Sequence, residues 1–456
     1  MKEQIFRLAI LIIGVAALVY ACQPKPVKVD KPLTSSVTPA EWTRNMVIYE
    51  LNVRQYSSDG TFASVQADLP RLQRLGVNVI WFMPVYPIGA ENRKGELGSY
   101  YSISDYKAVN PEFGTMEDFR SLVAKAHELG FKVILDWVGN HSAWDNHIML
   151  QNPEWYQKDS LGKFVSPYDW TDVVQFDYSA GPLWDFMISA MRFWVEEVGV
   201  DGFRCDYPGQ VPEEFWFRAY NELNTVKPVL MLAEDEANSF LLERAFDMNY
   251  AWAHHHLMNS VAQGKRHPLA LDSMLRYELL YYPGDSYRLR FIDNHDENSW
   301  NGTIDERMGS AHKAFAAYLL TIPGVPLIYN GQEAGLNKRL KFFERDPIEW
   351  KETGLFEFYA TLISLRTSHP ALRHGKEGGT FKTLKTGNSK VYAYVREKEE
   401  NAVAAIINLS PSAAKGVIRD RIEGTSYENV FTGETVVLEK GMQVELGPWE
   451  FLILKK

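Results

Sequence analysis

Short apolar runs alternate with helix-like segments from residue 42 to residue 329, and this alternation restricts the fold more than any other feature of the chain. Gly76, Gly130 and Gly199 each end a helix-like segment just before a strand-like run. Consecutive strands joined by helices run parallel, and room for about eight such units predicts a (β/α)₈ barrel, the TIM barrel. An open doubly wound sheet is the alternative, but the glycine-rich nucleotide fingerprint that usually follows its first strand is missing. The strand-like runs occupy residues 46–51, 77–82, 131–137, 200–206, 228–234, 288–294 and 325–329.

Two regions depart from the alternation. Residues 139–183 are rich in Trp, Tyr, Asp and Pro and are long for a strand-to-helix connection, which predicts a small loop subdomain (domain B) after strand 3. After residue 374, short alternating segments separated by turn residues predict an antiparallel β-sandwich. We therefore expect a barrel domain over residues 42–374 and a C-terminal β-sandwich domain over residues 375–456.

The first 22 residues have the features of an export signal. Lys2 and Arg7 precede an apolar run over residues 8–20, which is short for a membrane span and typical of a signal peptide. The run ends in Leu-Val-Tyr-Ala-Cys, which resembles the bacterial lipoprotein box and predicts lipidation of Cys22; an ordinary signal peptide is the alternative. Residues 23–41 would form a tether. We expect an exported, membrane-anchored lipoprotein, with the periplasmic side of an outer membrane favoured over the cell surface.

Charge and cysteine content exclude other classes. The formal net charge of −10 disfavours nucleic acid as a partner, and the sequence has neither a basic patch with interleaved aromatics nor a phosphate-binding loop. Cys205 is the only cysteine besides Cys22, so no disulfide is expected once Cys22 carries a lipid. The position of Cys205 on a strand favours a buried apolar role over that of a nucleophile. The sequence predicts no oligomeric state.

Acidic residues end three of the predicted strands. Asp206, Glu234 and Asp296 would meet at the C-terminal rim of the barrel, where the active sites of this fold lie. Arg204 stands two positions before Asp206, so the alternation of side chains places both on one face and keeps the carboxylate ionised. Neighbouring carboxylates have pKa values that are pushed apart, so one can attack while the other donates a proton. This combination is the requirement of glycoside hydrolysis with retention.

Five sequence blocks, which follow one another along the chain in the family's order, resemble those of glycoside hydrolase family 13, the α-amylase family. They are Asp-Trp-Val-Gly-Asn-His at 136–141, Gly-Phe-Arg-Cys-Asp at 202–206, the segment that ends at Glu234, Asp-Asn-His-Asp at 293–296, and a region over 98–114 that is similar to the family's second-strand region. The resemblance covers residues 42–456. It implies a retaining glycosidase that cleaves α-1,4-glucosidic bonds in starch-derived glucans or maltodextrins by double displacement.

The resemblance also implies a role for each site residue. Asp206 would be the nucleophile and Glu234 the general acid and then base. Asp296 would hold hydroxyls of the sugar in the −1 subsite and help to distort its ring. Arg204 would orient Asp206, and Asp136 would support Arg204. The implied substrate-binding set is Tyr101, which would stack on the sugar, with Asp136, His141, Arg204 and His295.

One departure from the family bears on calcium. Many α-amylases carry Lys-His shortly after the nucleophile, which serves the substrate and a calcium site, whereas Asp206 is followed by Tyr-Pro-Gly-Gln. Asn140 matches a position that can ligate calcium, but an Asp/Asn-rich calcium loop after the first strand is missing. We therefore expect no required cofactor and regard calcium as doubtful. The sequence does not define which residues form the +1 and +2 subsites.

The same carboxylates serve related reactions. An exo-acting α-glucosidase, a cyclomaltodextrinase and a transglycosylase are alternatives within the family, because water and a sugar acceptor use the same groups. A non-catalytic glucan-binding protein on the same fold is the alternative from another class. That alternative predicts the loss of at least one catalytic carboxylate, and all three are present.

Overall fold

A closed barrel of eight parallel strands forms the body of the protein, which confirms the predicted (β/α)₈ architecture. The computed structural model describes residues 32–422 and 424–456, so the predicted signal peptide, Cys22 and the tether up to residue 31 lie outside the described residues. Each strand pairs with its neighbours in chain order, and the last strand closes on the first. The strands are β1 Ile48–Leu51, β2 Val79–Phe82, β3 Lys132–Val138, β4 Gly202–Asp206, β5 Leu230–Ala233, β6 Met248–Tyr250, β7 Tyr287–Arg290 and β8 Val325–Tyr329.

Two of these strands differ from the sequence-based expectation. β6 has only three residues with a central Asn249, so it leaves no apolar run to recognise in the sequence. β7 ends at Arg290, although the buried apolar run continues through Phe291 and Ile292. The acidic residue at 296 therefore lies beyond the strand, where a short helix begins.

Helices surround the barrel because each buries one apolar face on the outside of the sheet. The helix after β2 begins at a capping box, in which Thr115 and Asp118 bind each other's main-chain N–H groups. The helix after β1 ends at Gly76, whose φ of 92° suits glycine. The long helices are Phe62–Leu75, Met116–Glu128, Gly181–Phe193, Glu213–Asn224, Trp252–Ala262, Leu269–Tyr281, His312–Thr321 and Leu355–Ser368. None of the helices over residues 32–422 and 424–456 is long and apolar enough to cross a membrane.

The predicted subdomain follows β3. Two short strands, His141–Ala143 and Val173–Gln175, pair antiparallel, and the helix His147–Gln151 lies between them in the chain. Domain B, predicted over residues 139–183, ends at residue 180, because the next helix begins at Gly181. Its aromatic residues Tyr168 and Trp170 line the cavity at the barrel mouth.

Two antiparallel sheets of unequal size form the C-terminal part, as predicted. The larger has the order β9-β10-β11-β16-β13-β14, and β12 pairs with β15 in the smaller one. Their facing side chains, among them Val395, Ile406 and Val444, share one apolar cluster. The strands are β9 Thr380–Leu384, β10 Val391–Lys398, β11 Asn401–Asn408, β12 Ala414–Val417, β13 Thr425–Asn429, β14 Thr435–Leu438, β15 Gln443–Leu446 and β16 Phe451–Lys455.

Candidate active site

A cavity of about 1120 Å³ opens at the C-terminal ends of the barrel strands. The three predicted carboxylates line it together, although they come from three different strand–helix connections. Aromatic side chains make up much of the remaining wall, which suits a ligand with apolar faces. The expected site residues that line the cavity are Tyr101, His141, Asp206, Glu234, His295 and Asp296.

Arg204 lies under the cavity floor and binds three carboxylates. Its Nη1 atom is 2.9 Å from Oδ1 of Asp136 and 2.9 Å from Oδ1 of Asp206. Its Nη2 atom is 2.7 Å from Oε1 of Glu234. The guanidinium is fully buried and also lies 5.1 Å from the ring of Trp81. A single rigid side chain therefore fixes the positions of two cavity carboxylates and one carboxylate below them.

The local sequence of β4 explains how Asp206 reaches the cavity. A Cβ atom at Gly202 would lie 2.1 Å from the carbonyl oxygen of Leu230, so only glycine allows β4 and β5 to approach this closely. Side chains then alternate: Phe203 and Cys205 enter the apolar layer outside the barrel. Asp206 points into the mouth with 8% of its surface exposed.

Glu234 lies just past β5 and is held from two sides. Its Oε1 atom faces Arg204, and its Oε2 atom accepts a hydrogen bond of 3.2 Å from the main-chain N–H of Tyr207. Burial raises the pKa of Glu234 well above its usual value, Arg204 opposes the shift, and the charges of Asp206 and Asp296 add to it. The carboxyl group is therefore suited to keep a proton where an exposed glutamate would have lost it.

Asp296 is the most open of the three carboxylates. Its side chain is 35% exposed and lies 3.5 Å from Nε2 of His295. The other ring nitrogen of His295 contacts Oε1 of Glu50 at 2.5 Å. Burial acts against a charged ring, but the carboxylates of Asp296 and Glu50 together raise the pKa of His295 to about 9. The ring therefore faces the cavity with a proton on both nitrogens near neutral pH.

Tyr101 lines the cavity, whereas the neighbouring Tyr100 is buried beneath the guanidinium of Arg54. The hydroxyl of Tyr101 lies 2.8 Å from Nε2 of His295 and donates to Oδ2 of Asp136 at 3.2 Å. The hydrogen bonds fix the phenol ring at the edge of the site. Its exposed side remains free to contact a ligand.

Asp136 and Arg204 are brought together with the other predicted residues but do not line the cavity. Both side chains have no exposed surface. Asp136 also accepts a hydrogen bond of 3.2 Å from Nε1 of Trp81. Burial raises the pKa of Asp136 to about 7, against the opposing charge of Arg204. The two residues are thus placed to position cavity carboxylates rather than to touch a ligand.

His141 enters the cavity from the start of domain B. Its ring packs against Trp170 with the centroids 5.4 Å apart. Burial lowers the pKa of His141, with the charges of Asp206 and Asp172 opposing the shift. The neutral ring offers one donor and one acceptor to a ligand.

Several residues at the site did not stand out in the sequence. Glu50 could have been singled out, since it is the one charged residue within the first apolar run. Its partner His295, however, is far away in the chain. Tyr168 and Trp170 in domain B form an aromatic cluster with Tyr207 after β4. The hydroxyls of Tyr168 and Tyr207 share a hydrogen bond across the cavity wall. Their chain positions alone contain no sign of this contact.

Asn140, which matches a position that can ligate calcium, makes two polar contacts with the surrounding chain. Its main-chain oxygen accepts a hydrogen bond of 3.0 Å from the N–H of Phe176, and its amide nitrogen lies 3.3 Å from Nδ1 of His141. Calcium favours six to eight oxygen ligands, with carboxylates prominent among them. Within the part of the chain that the structure describes, His, Cys, Asp and Glu residues form no group of three or more that could hold a metal ion.

Comparison with known proteins agrees with this geometry. A family model for the catalytic domain of α-amylase matches residues 52–160 and 149–353, and a model for the C-terminal domain of maltogenic amylase matches residues 381–453. The crystal structure of a noncanonic maltogenic α-amylase from Thermotoga neapolitana is 32% identical with a TM-score of 0.83 and covers 90% of this chain and 98% of its own. An α-amylase structure from Lactobacillus plantarum is 30% identical with a TM-score of 0.81, over 91% and 99% of the two chains.

A relative known from its sequence matches this chain over a similar length. The cyclomaltodextrinase of a Bacillus species is 27% identical, over 81% of this chain and 74% of its own. The matches span the barrel and the C-terminal sheets, so they are not confined to one domain. The chain therefore belongs to the α-amylase family, glycoside hydrolase family 13.

Proposed function

We propose that this chain hydrolyses α-1,4-glucosidic bonds in starch-derived glucans or maltodextrins with retention of configuration. One observation carries the proposal: a single guanidinium holds both Asp206 and Glu234, while burial and neighbouring charge raise the pKa of Glu234. A retaining glycosidase needs one ionised and one protonated carboxyl group on opposite sides of the reaction. The α-amylases and cyclomaltodextrinase among its relatives support this class of substrate.

In the first step, a carboxylate oxygen of Asp206 attacks the anomeric carbon of the sugar in the −1 subsite. The glycosidic C–O bond breaks, and Glu234 donates its proton to the leaving oxygen. The product is a β-glycosyl ester on Asp206 and a free sugar or shortened chain. Arg204 orients Asp206 for the attack and holds Glu234 within reach of the same bond.

In the second step, water enters the place of the leaving group. Glu234, now ionised, takes a proton from the water, whose oxygen attacks the anomeric carbon. The ester bond breaks, Asp206 returns as a carboxylate and the sugar leaves with its original α configuration. Two inversions at one carbon therefore give retention.

The remaining cavity residues would bind the sugar in the −1 subsite. Asp296 and His295 would accept and donate hydrogen bonds to its hydroxyls, and His141 would bind from the domain B side. Tyr101 would stack on the ring, since its phenol edge is fixed by His295 and Asp136. These assignments rest on their common position along the wall of one cavity.

The decisive experiment combines Asp206→Asn with observation of the product anomer. The substitution keeps the shape of the side chain but removes the nucleophile, so release of reducing sugar from maltodextrin should fall by at least about 10⁴-fold. Asp185→Asn, at an exposed aspartate, is the control and should keep full activity. Proton NMR of early wild-type products should show the α anomer. Undiminished activity of Asp206→Asn, or a β product, would overturn the proposal.

A product profile separates the alternatives within the family. Incubation with starch, maltotriose, cyclodextrin, pullulan and sucrose distinguishes an endo-acting amylase from an exo-acting α-glucosidase or a cyclomaltodextrinase. Products longer than the substrate would indicate transglycosylation. The non-catalytic alternative predicts that every substrate remains uncut although it binds.

We also propose that no metal ion is required, on the ground that Tyr-Pro-Gly-Gln follows Asp206 where many α-amylases carry Lys-His, and that an Asp/Asn-rich calcium loop after the first strand is missing from the sequence. Dialysis against EDTA, followed by assay with and without added CaCl₂, should leave the rate unchanged. A loss that calcium restores would contradict this proposal.

We propose further that Cys22 carries a lipid and holds the enzyme at the periplasmic face of an outer membrane. The support comes from the sequence of the first 22 residues. In membrane fractions of a Gram-negative host, the wild-type chain should partition with detergent and Cys22→Ala should not. A wild-type chain that is released without its lipid would refute the anchor and leave the enzymatic proposal intact.

A further inference from the structure

Two arginines lie buried between the barrel and the C-terminal sheets without a carboxylate to balance their charge. Arg366, in the helix Leu355–Ser368, has no exposed surface, and Arg396, in β10, has 2%. Over residues 32–422 and 424–456, no carboxylate oxygen lies within 4.0 Å of either guanidinium. Their contacts are neutral: main-chain oxygens, including those of Ile322 and Arg373, and for Arg366 also the ring of His374.

Each of these guanidinium groups also has an unused donor. The Nε–H of Arg366 and the Nε–H of Arg396 find no acceptor among the described residues. Burial lowers the pKa of Arg396 to about 9, with Tyr394 opposing the shift, so the side chain keeps its charge at neutral pH. A buried cation without a counter-charge is costly, and buried donors are normally satisfied by protein atoms, water or a bound ion.

A cavity of about 240 Å³ lies beside Arg396 and has a strongly cationic wall. Glu278 is the one acidic residue among those that line it, and Arg290 already binds this carboxylate, with Nη2 and Oε2 2.7 Å apart. Arg373 on the rim is exposed and has no ion pair with any described residue. The cationic residues that line the cavity are Arg288, which pairs with Glu236, Arg290, Arg373, Lys376, which pairs with Asp285, and Arg396.

We infer that this cavity binds a small oxyanion of the phosphate type. Guanidinium groups bind phosphate oxygens through several N–H donors held in one plane. Arg396 contributes to the inner wall and has no counter-charge, and Arg373 adds an unpaired charge at the rim. Tyr282 and Phe381 also line the cavity, whose volume of about 240 Å³ limits the size of the ligand. A bound anion would balance Arg396 and connect the barrel to the C-terminal sheets.

The phosphate group has two possible sources, the solution and a lipid headgroup. The described chain begins beside the cavity, because the N–H of Leu33 donates to the main-chain oxygen of Tyr281 at 2.8 Å, and Tyr282 lines the cavity. The roughly ten residues between Cys22 and residue 32 span at most about 36 Å. A lipid on Cys22 would therefore keep this face near a bilayer. A lipid headgroup as the source rests on the proposed lipidation of Cys22, whereas phosphate from the solution does not.

The test measures the melting temperature of the full chain in sodium phosphate and in sodium chloride of equal ionic strength. Arg396→Gln removes the inner cation, and Arg373→Gln removes the rim cation without a buried change. Arg419→Gln is the matched control, an exposed arginine of the C-terminal part that does not line the cavity. Saturating phosphate should raise the melting temperature of the wild type and of Arg419→Gln by about 2–4 °C. The rise should be about halved in Arg373→Gln and absent in Arg396→Gln.

Phosphate also stabilises proteins in general through exclusion from their surface, so the comparison among variants decides the outcome. An equal rise in all four proteins would overturn the inference, as would a wild type that responds to phosphate no more than to chloride. If Arg396→Gln does not fold, an undiminished rise in Arg373→Gln would overturn it as well.

A vesicle experiment separates the two sources. The lipidated chain is reconstituted into phosphatidylglycerol vesicles and titrated with inorganic phosphate. If headgroups fill the cavity, added phosphate gives no further rise in melting temperature. If the full rise persists, the site takes free phosphate and the lipid source is excluded.

Discussion

Arg204 Nη1 lies 2.9 Å from Oδ1 of Asp206, which stands two positions further along the same strand. The other terminal nitrogen of this guanidinium faces Glu234, just past the end of the neighbouring strand β5. Two carboxylates with different tasks are thus held by adjacent nitrogens of one rigid group. Burial raises the pKa of Glu234, and the charges of Asp206 and Asp296 add to this shift against the opposing charge of Arg204.

Arg204→Lys should lower kcat by at least about 100-fold while the fold persists. A lysine carries the charge but cannot reach Asp136, Asp206 and Glu234 at once, and misplacement by about 1 Å costs this much. Rates on maltodextrin and the far-ultraviolet circular dichroism spectrum are the measurements. Arg218→Lys, at an exposed arginine that pairs with Asp185 and Glu222, should change neither. Wild-type rates in Arg204→Lys would show that Arg204 does not position the carboxylates.

Asp296→Asn should move the alkaline limb of the kcat/KM profile to lower pH. The limb reports loss of the proton of Glu234, and the negative charge of Asp296 contributes to the raised pKa of that group. Without this charge the proton leaves at lower pH. The shape of the profile can be measured on the residual activity. Asp305→Asn, at an exposed aspartate, should leave the limb in place, and a limb that stays or rises in Asp296→Asn would contradict the assignment of Glu234 as the acid.

Tyr168→Phe and Tyr207→Phe should change the relative activity on long chains and on maltotriose, because the two residues line the cavity. Each substitution removes the hydrogen bond that joins domain B to the β4 connection but keeps the aromatic ring. A net contribution of about 1 kcal/mol corresponds to a roughly fivefold change in the ratio of kcat/KM values for amylose and maltotriose. The double variant should equal either single one, because all three lack the same bond. Additive effects would mean that the two hydroxyls act separately.

Gly202→Ala should destabilise the barrel strongly. The added Cβ would lie 2.1 Å from the carbonyl oxygen of Leu230, and the φ of 155° is unusual for alanine. Gly181→Ala is the matched control, since its Cβ would have no heavy atom within 4 Å. Thermal unfolding should show a melting temperature at least several degrees lower for Gly202→Ala and unchanged or slightly higher for Gly181→Ala. Equal melting temperatures would show that β4 and β5 can separate without cost.

The three carboxylates could be found from the sequence because each follows a recognisable apolar run. Asp206, Glu234 and Asp296 follow strand-like segments, and parallel strands bring such residues to one rim. The exact ends of the strands were harder to predict from the sequence. β7 stops at Arg290 although burial continues to Ile292, because apolar residues can fill the barrel end without joining the ladder.

The partners of these residues could not be predicted in the same way. Glu50 reaches His295 across 245 positions of chain, and Tyr168 reaches Tyr207 from a different domain. Neither pair has a shared local pattern, since a long-range contact depends on how strands and loops are arranged in space. Sequence reasoning also placed Asp136 and Arg204 among substrate-binding residues, whereas burial puts both beneath the cavity floor.

The sequence by itself determined the alternation of strands and helices except at β6, the presence of the C-terminal antiparallel sheets and the position of the three carboxylates at the barrel mouth. These properties depend on local periodicity and on residues within a few positions of a strand end. The tertiary structure decided which carboxylate keeps a proton, which aromatics close the cavity and where Arg396 lies without a counter-charge. Burial and the distances between charges set those properties, and both arise only when segments distant in the chain pack together.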